Sequence, residues 1–273
     1  MKEKSFSFQK AWEILFPFLL YYLVYNAVYL ILAFGYQAAV KGFGAADGQI
    51  MTAYEATVSG VAGGLCSLIG MLPLLPMLKK ELLIRVQEKG FLRNDNNRTG
   101  RITMELTITV ILAFSVSLGL NAFLTLIGFV ESSQTYQRVA DHQYGVVFGI
   151  GLLLYGLVSP LAEEILFRGV IYNRMRRNFG PFVGIVASGI FFGIFHGNLV
   201  QGVYGTVMGI LIAYMYERNG KFFTPFLFHA VANLSVYTTA HLQGIQKVLF
   251  TPAGCVVLFA VAAGSVWLER RKI

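Results

Sequence analysis

Long apolar stretches alternate with short polar connections from one end of this chain to the other. A helix that crosses a bilayer needs about 20 mostly apolar residues. Eight segments approach or reach that length: Ile14–Phe34, Thr57–Leu78, Met104–Val130, Val146–Phe167, Phe182–Phe195, Val200–Tyr216, Phe222–Tyr237 and Val248–Leu268. The pattern predicts an all-α fold, a polytopic membrane bundle of about eight transmembrane helices. The fifth, sixth and seventh segments are short and rich in glycine or polar residues, which suits spans packed inside a bundle. The first is longer than the 7–15 residues of a signal-peptide core and reads as a retained span. No internal repeat, low-complexity tract or soluble domain stands out, and Asn94-Asp-Asn-Asn97 reads as a turn-rich connector.

The polar connections orient these spans. Lys2, Lys4 and Lys10 precede the first. Lys79, Lys80, Arg85, Lys89, Arg93, Arg98 and Arg101 fall between the second and third. Arg174, Arg176 and Arg177 follow the fourth, Arg218 and Lys221 the sixth, and Arg270, Arg271 and Lys272 the eighth. The alternate connections hold only Lys41, Arg138 and Lys247. Basic connections collect on the cytoplasmic side, so both termini are expected there. The compact, all-membrane layout suggests a bacterial cell membrane.

Composition agrees with this picture. The chain is 56% hydrophobic and 13% charged, with mean hydropathy +0.61. A soluble domain has about 45–50% apolar and about 25% charged residues. The net charge of +8 follows the topology and gives no reason to expect a nucleic-acid partner. Cys66 and Cys255 both fall in apolar stretches, so neither a disulfide framework nor a cysteine metal motif is expected. Gly60/Gly64, Gly189/Gly193 and Gly205/Gly209 have the spacing that lets membrane helices approach closely.

Against this background Glu163 and Glu164 are conspicuous. Carboxylates at membrane depth are costly and mark functional sites by default. Neighbours on a helix point about 100° apart, so the two cannot share one face. Glu164 and Arg168, at i and i+4, are placed to form a buried structural pair. Glu163 is then the free carboxylate, available for proton transfer. Pro160, three residues earlier, should kink the helix and make room for water beside it. His196 shares its helix face with Gly189, Phe192 and Gly193, so it points toward protein rather than lipid. His229 and Asn233 share a face at i and i+4. Counted at 1.5 Å per residue from the basic connections, Glu163, His196 and His229 lie about 18, 22 and 12 Å deep. One layer could hold them all. His142 and His241 fall in loops or span ends and are assigned no role.

Such a set suits amide hydrolysis. A glutamate and a histidine can hold and deprotonate water, while a second histidine and an asparagine donate to the developing oxyanion. No serine or cysteine nucleophile stands out beside them. A divalent metal such as zinc is the open alternative, since carboxylate and imidazoles could ligate it, although the helical His-Glu-x-x-His motif is absent. A second reading is a non-proteolytic immunity or scaffold protein that binds a bacteriocin-like peptide. A third is a proton-coupled transporter, disfavoured because no inverted repeat is visible.

Glu163-Glu164-x-x-x-Arg168, Phe192-x-x-x-His196 and His229-x-x-x-Asn233 resemble, in order, the three motifs of the CPBP (Abi) family. That family includes type II CAAX prenyl endopeptidases and bacteriocin-processing or immunity proteins. The resemblance covers about Val146 to Tyr237 and extends to Gln201 and Gly205/Gly209. It implies an intramembrane glutamate-type protease acting on a hydrophobic or lipidated peptide or protein. By that resemblance Glu163 and His196 would activate water, and His229 and Asn233 would form the oxyanion site. Glu164 and Arg168 would support the site, with Phe192 packed beside His196. A bound metal would draw on Glu163, His196 and His229. The chain then divides, within one membrane domain, into N-terminal spans with a basic loop (1–140), a catalytic core (141–240) and a last span with a basic tail (241–273).

Overall fold

A computed structural model describes residues 7–42, 54–88 and 98–271. Lys2, Lys4, Lys89, Arg93, Lys272 and the Asn94–Asn97 connector lie outside the described residues. Regular structure among the described residues is entirely helical. The elements are α1 (Phe8–Gly42), α2 (Glu55–Met71), α3 (Leu75–Glu88), α4 (Arg98–Leu126), α5 (Gln134–Tyr144), α6 (Phe148–Phe179), α7 (Pro181–Phe195), α8 (Leu199–Asn219), α9 (Phe223–His241), α10 (Gln243–Leu249) and α11 (Pro252–Arg270). The chain is an all-α polytopic membrane bundle, as the hydrophobic pattern predicts.

Each of the eight apolar segments forms a helix. Six of the helical stretches are long and apolar enough to cross a membrane: Phe8–Ala39, Glu55–Glu88, Ile102–Leu126, Phe148–Phe179, Leu199–Asn219 and Pro252–Arg270. The other two, α7 and α9, are among the segments the sequence marks as short or polar. α5 and α10 are additional short helices in connections with no expected structure.

α7 and α8 form a tight antiparallel hairpin, and glycine makes it tight. A Cβ on Gly189 would lie 2.7 Å from the Ile210 nitrogen, and one on Gly209 2.9 Å from the Gly189 Cα. A Cβ on Gly193 would strike Thr206 and the Gly202 carbonyl. The glycine spacings therefore mark the contact itself. α4 packs between α9 and α11, and α1 lies along α2 and α6. Leu23, Leu30, Ile31 and Phe34 of α1 remain exposed, the lipid-facing surface of such a bundle.

The basic residues differ from the expected loop arrangement. α3 and α6 continue as helices beyond the apolar stretch, and their arginines are paired. Glu81 accepts from Arg174 at 2.9 Å and Arg177 at 2.5 Å. Glu217 accepts from Arg85 at 3.0 Å, Arg176 at 2.9 Å and the Tyr172 hydroxyl at 2.7 Å. Arg85 is 4% exposed and also donates to Asn173 and the Tyr216 carbonyl. Buried cations require such partners, and the resulting network ties α3, α6 and α8 together at the basic end.

Candidate active site

α6 is not a uniform helix. It widens to π turns at Leu154–Val158 and Ile165–Tyr172, on either side of the regular turn Ser159–Glu164. Pro160 explains the first of these. In the wide register the Ser159 N–H reaches back to the Leu154 carbonyl. The next carbonyl, Tyr155, would need an N–H from residue 160, and proline has none. Asn233 of α9 supplies the donor, with its Nδ2 at 2.9 Å from that carbonyl. The expected kink is thus a local widening, and it anchors a neighbouring helix.

The two glutamates part as their helical positions require. Glu164 is fully buried and accepts from Arg168 Nη1 at 2.7 Å. It also pairs with His229 Nδ1 at 2.8 Å. Arg168, equally buried, donates to the Gly209 carbonyl at 3.0 Å, and its guanidinium lies 4.5 Å over the Phe192 ring. Glu163 faces a cavity of ≈ 270 Å³ instead. Its Oε1 accepts the Ser159 hydroxyl at 2.5 Å. Its Oε2 is buried without a hydrogen bond from the described residues and lies 3.8 Å from His229 Nε2.

His196 ends α7. Gly197, at φ 71°, turns the chain back, and the Asn198 side chain caps α8 by accepting the Gln201 N–H at 2.9 Å. A positive φ is readily adopted only by glycine. His196 Nδ1 lies 2.8 Å from the Phe192 carbonyl, which fixes a proton on that nitrogen and turns Nε2 into an acceptor. The rings of Phe192 and His196 meet edge to face at 4.9 Å.

Glu163, Phe192, His196, His229 and Asn233 all line the one cavity, while Glu164 and Arg168 sit behind it. Ser159, Tyr155, Gln201 and Tyr204 line it too. Ser159 has no role in the sequence reading, although its i, i+4 spacing to Glu163 is the signal that points to it. His142 is exposed and bonded to Ser59, and His241 bonds the Tyr237 carbonyl; neither lines this cavity.

Among the described residues no three His, Cys, Asp or Glu side chains converge as ligands. Glu163 and His229 approach one another, but His196 does not complete a site with them.

Comparisons with known proteins address the same stretch. Residues 146–235 match the family described as "Type II CAAX prenyl endopeptidase Rce1-like". Over 179 residues the chain is 26% identical to a Bacillus subtilis (strain 168) protein named "Putative membrane peptidase YdiL", covering 64% of this chain and 71% of that protein. No solved structure gives a significant match. The stretch that carries the site is thus similar to the Rce1-like family, and this match together with the named relative supports a membrane protease in general.

Proposed function

We propose that the chain is an intramembrane endopeptidase that hydrolyses a peptide bond with water activated by Glu163. One observation carries this reading: a buried carboxylate oxygen, Glu163 Oε2, has no hydrogen bond from the described residues and faces a cavity bordered by two histidines and an asparagine. Intramembrane carboxylates so placed are rarely structural.

In this mechanism a water lies between Glu163 and His196 Nε2. Glu163 takes its proton as the water oxygen bonds to the substrate carbonyl carbon. The oxyanion receives the second N–H of Asn233, whose first is committed to Tyr155. His229 is oriented by its Nδ1 contact with Glu164, and with a proton on Nε2 it is a further donor. Collapse of the tetrahedral adduct breaks the C–N bond, and Glu163 returns its proton to the leaving amine. Ser159 holds the carboxylate in position.

The substrate is a hydrophobic, membrane-associated or lipidated peptide or protein. The chain works as an integral protein of a bacterial cell membrane, with both termini cytoplasmic by the distribution of basic residues. The test compares new peptide termini in membranes of cells carrying the wild type, Glu163→Gln or a deletion, at equal expression. Termini present with wild type and absent from the other two support proteolysis and name the substrate. No such termini, with the deletion phenotype restored by Glu163→Gln, would favour a peptide-binding immunity or scaffold role.

A further inference from the structure

The cavity is backed by fully buried side chains on one side and shares lining residues with a second chamber on the other. Toward the basic end, Phe167, Arg168, Tyr172, Ile212, Tyr216 and Phe228 are all fully buried. Beyond them lies the Glu81 and Glu217 ion-pair network. Away from the basic end, a chamber of ≈ 300 Å³ shares Asn121, Val130, Tyr136, Ala140, Tyr144 and Val236 with the site cavity.

Helix length explains the asymmetry. α7 has 15 residues, about 22 Å at 1.5 Å each, against a hydrocarbon core of about 30 Å. Starting from the basic end, it stops short of the far surface. His196 and the turn after it therefore lie at membrane depth, where irregular backbone is tolerated only beside protein or a water-filled space. α5 and α10 cover the space left above. α5 is held to α2 by the Ser59–His142 contact, and the turn that follows it by Val147 N–H on Thr57 Oγ1 at 3.1 Å. The rim carries Glu131, Gln137, Asp141 and Gln246. Amides and phenols, Asn121, Gln143, Tyr136 and Tyr144, line the passage. Burial pushes both of those phenols above the usual tyrosine range, so they remain neutral hydrogen-bonding groups. Amides and neutral phenols suit the main chain of an extended peptide.

We propose that the site opens through this vestibule away from the basic face, and that its substrate is a peptide segment presented from the extracytoplasmic side. The inference rests on the protease reading for its chemistry and on the basic-residue pattern for its direction. It gives α5 a role in admission, since its Tyr136, Ala140 and Tyr144 line both chambers.

The test uses Ala140→Cys, lining both chambers, and Lys80→Cys, exposed at the basic end. The wild-type chain, with Cys66 and Cys255 buried, is the blank. A membrane-impermeant maleimide is applied to intact and to permeabilised cells. Ala140→Cys should react in intact cells and Lys80→Cys only after permeabilisation. The adduct at 140 should abolish Glu163-dependent cleavage, and the adduct at 80 should leave it unchanged. Gln137→Cys, exposed on the same helix, is the second probe if Ala140→Cys does not accumulate. Reaction of the α5 cysteines only after permeabilisation overturns the proposal, as do Glu163-dependent cleavages in cytoplasmic segments. Absence of any Glu163-dependent cleavage removes the protease reading instead, and the labelling alone then decides which way the cavity opens.

Discussion

Pro160 and Asn233, on different helices, are joined through a single carbonyl. The proline has no N–H to offer Tyr155, and the asparagine amide takes up the vacated acceptor at 2.9 Å. Asn233→Ala should therefore cost about 1–3 kcal/mol, the usual penalty for an unsatisfied buried polar group. Pro160→Ala restores a main-chain donor, so the same asparagine change should cost less in that background. Thermal unfolding of the four proteins in detergent measures the coupling, expected at about 0.5–3 kcal/mol. Additive effects would show that the proline does not create the acceptor.

Glu163 and Glu164 should separate cleanly by readout. Glu164 is fully buried between Arg168 and His229. Removing one partner of such a buried pair leaves an uncompensated charge and costs about 3–5 kcal/mol. Glu164→Ala and Arg168→Ala should lose folded protein in a detergent unfolding assay. Glu163→Gln keeps the shape at the cavity wall and should unfold as the wild type does. Its loss should be in turnover, by about 10²–10⁴-fold for a missing general base. A destabilised Glu163→Gln with normal turnover per folded molecule would reverse the two roles.

Ser159 bonds Glu163 at 2.5 Å from one turn away. It is a positioning residue on this geometry. Ser159→Ala should lower kcat by about tenfold or less, the scale of one orienting hydrogen bond of about 0.5–1.5 kcal/mol. KM and the unfolding temperature should barely change, and Ser159→Thr, which keeps the hydroxyl, should recover most of the rate. A KM effect without a kcat effect would place Ser159 in substrate binding instead.

Much of this architecture was legible because lipid imposes a simple rule on sequence: spans must be apolar, and each charge inside one must be explained. That rule exposes Glu163, Glu164 and Arg168 directly, and i, i+4 spacing then predicts the Glu164–Arg168 pair seen at 2.7 Å. The partner of His229 was not legible. Its contact with Glu164 spans 65 positions in sequence and depends on how α6 and α9 cross. The paired arginines at the basic end escaped for a related reason. Hydropathy sees Lys79–Arg85 and Arg174–Arg177 as polar connections, whereas the helices continue and acids on other helices meet them. α5 was missed because it is neither apolar enough for a span nor marked by turn residues, yet it roofs the vestibule.

Gly193 tests whether the hairpin positions His196. A Cβ there would strike the Gly202 carbonyl and Thr206, atoms of backbone or next to it that cannot swing aside. His196 lies three residues on, at the end of the same helix. Gly193→Ala should force α7 and α8 apart and cost about 1–3 kcal/mol, as overpacking does. Gly244→Ala, with open space around its Cβ, is the control and should be neutral. A neutral Gly193→Ala would mean that the hairpin tolerates more separation than its contacts imply.

The expectation of a metal can be tested on the same site. Zinc bound by a carboxylate and two imidazoles needs each donor about 2.0–2.2 Å from one point. Glu163 and His229 come within 3.8 Å of each other, but no third His, Cys, Asp or Glu joins them among the described residues. His229 also spends Nδ1 on Glu164, and His196 spends Nδ1 on the Phe192 carbonyl. That leaves both Nε2 atoms to water and to the oxyanion in the proposed mechanism. Purified protein stripped with a chelator should therefore keep its cleavage rate on a substrate found by the terminus comparison, with metal content checked on the same sample. Loss of the rate on stripping and its return with zinc alone would mean that the helices draw His196 in toward Glu163 and His229 when an ion is present. Glu163 would then act as a ligand, and the water would take its acidity from the metal.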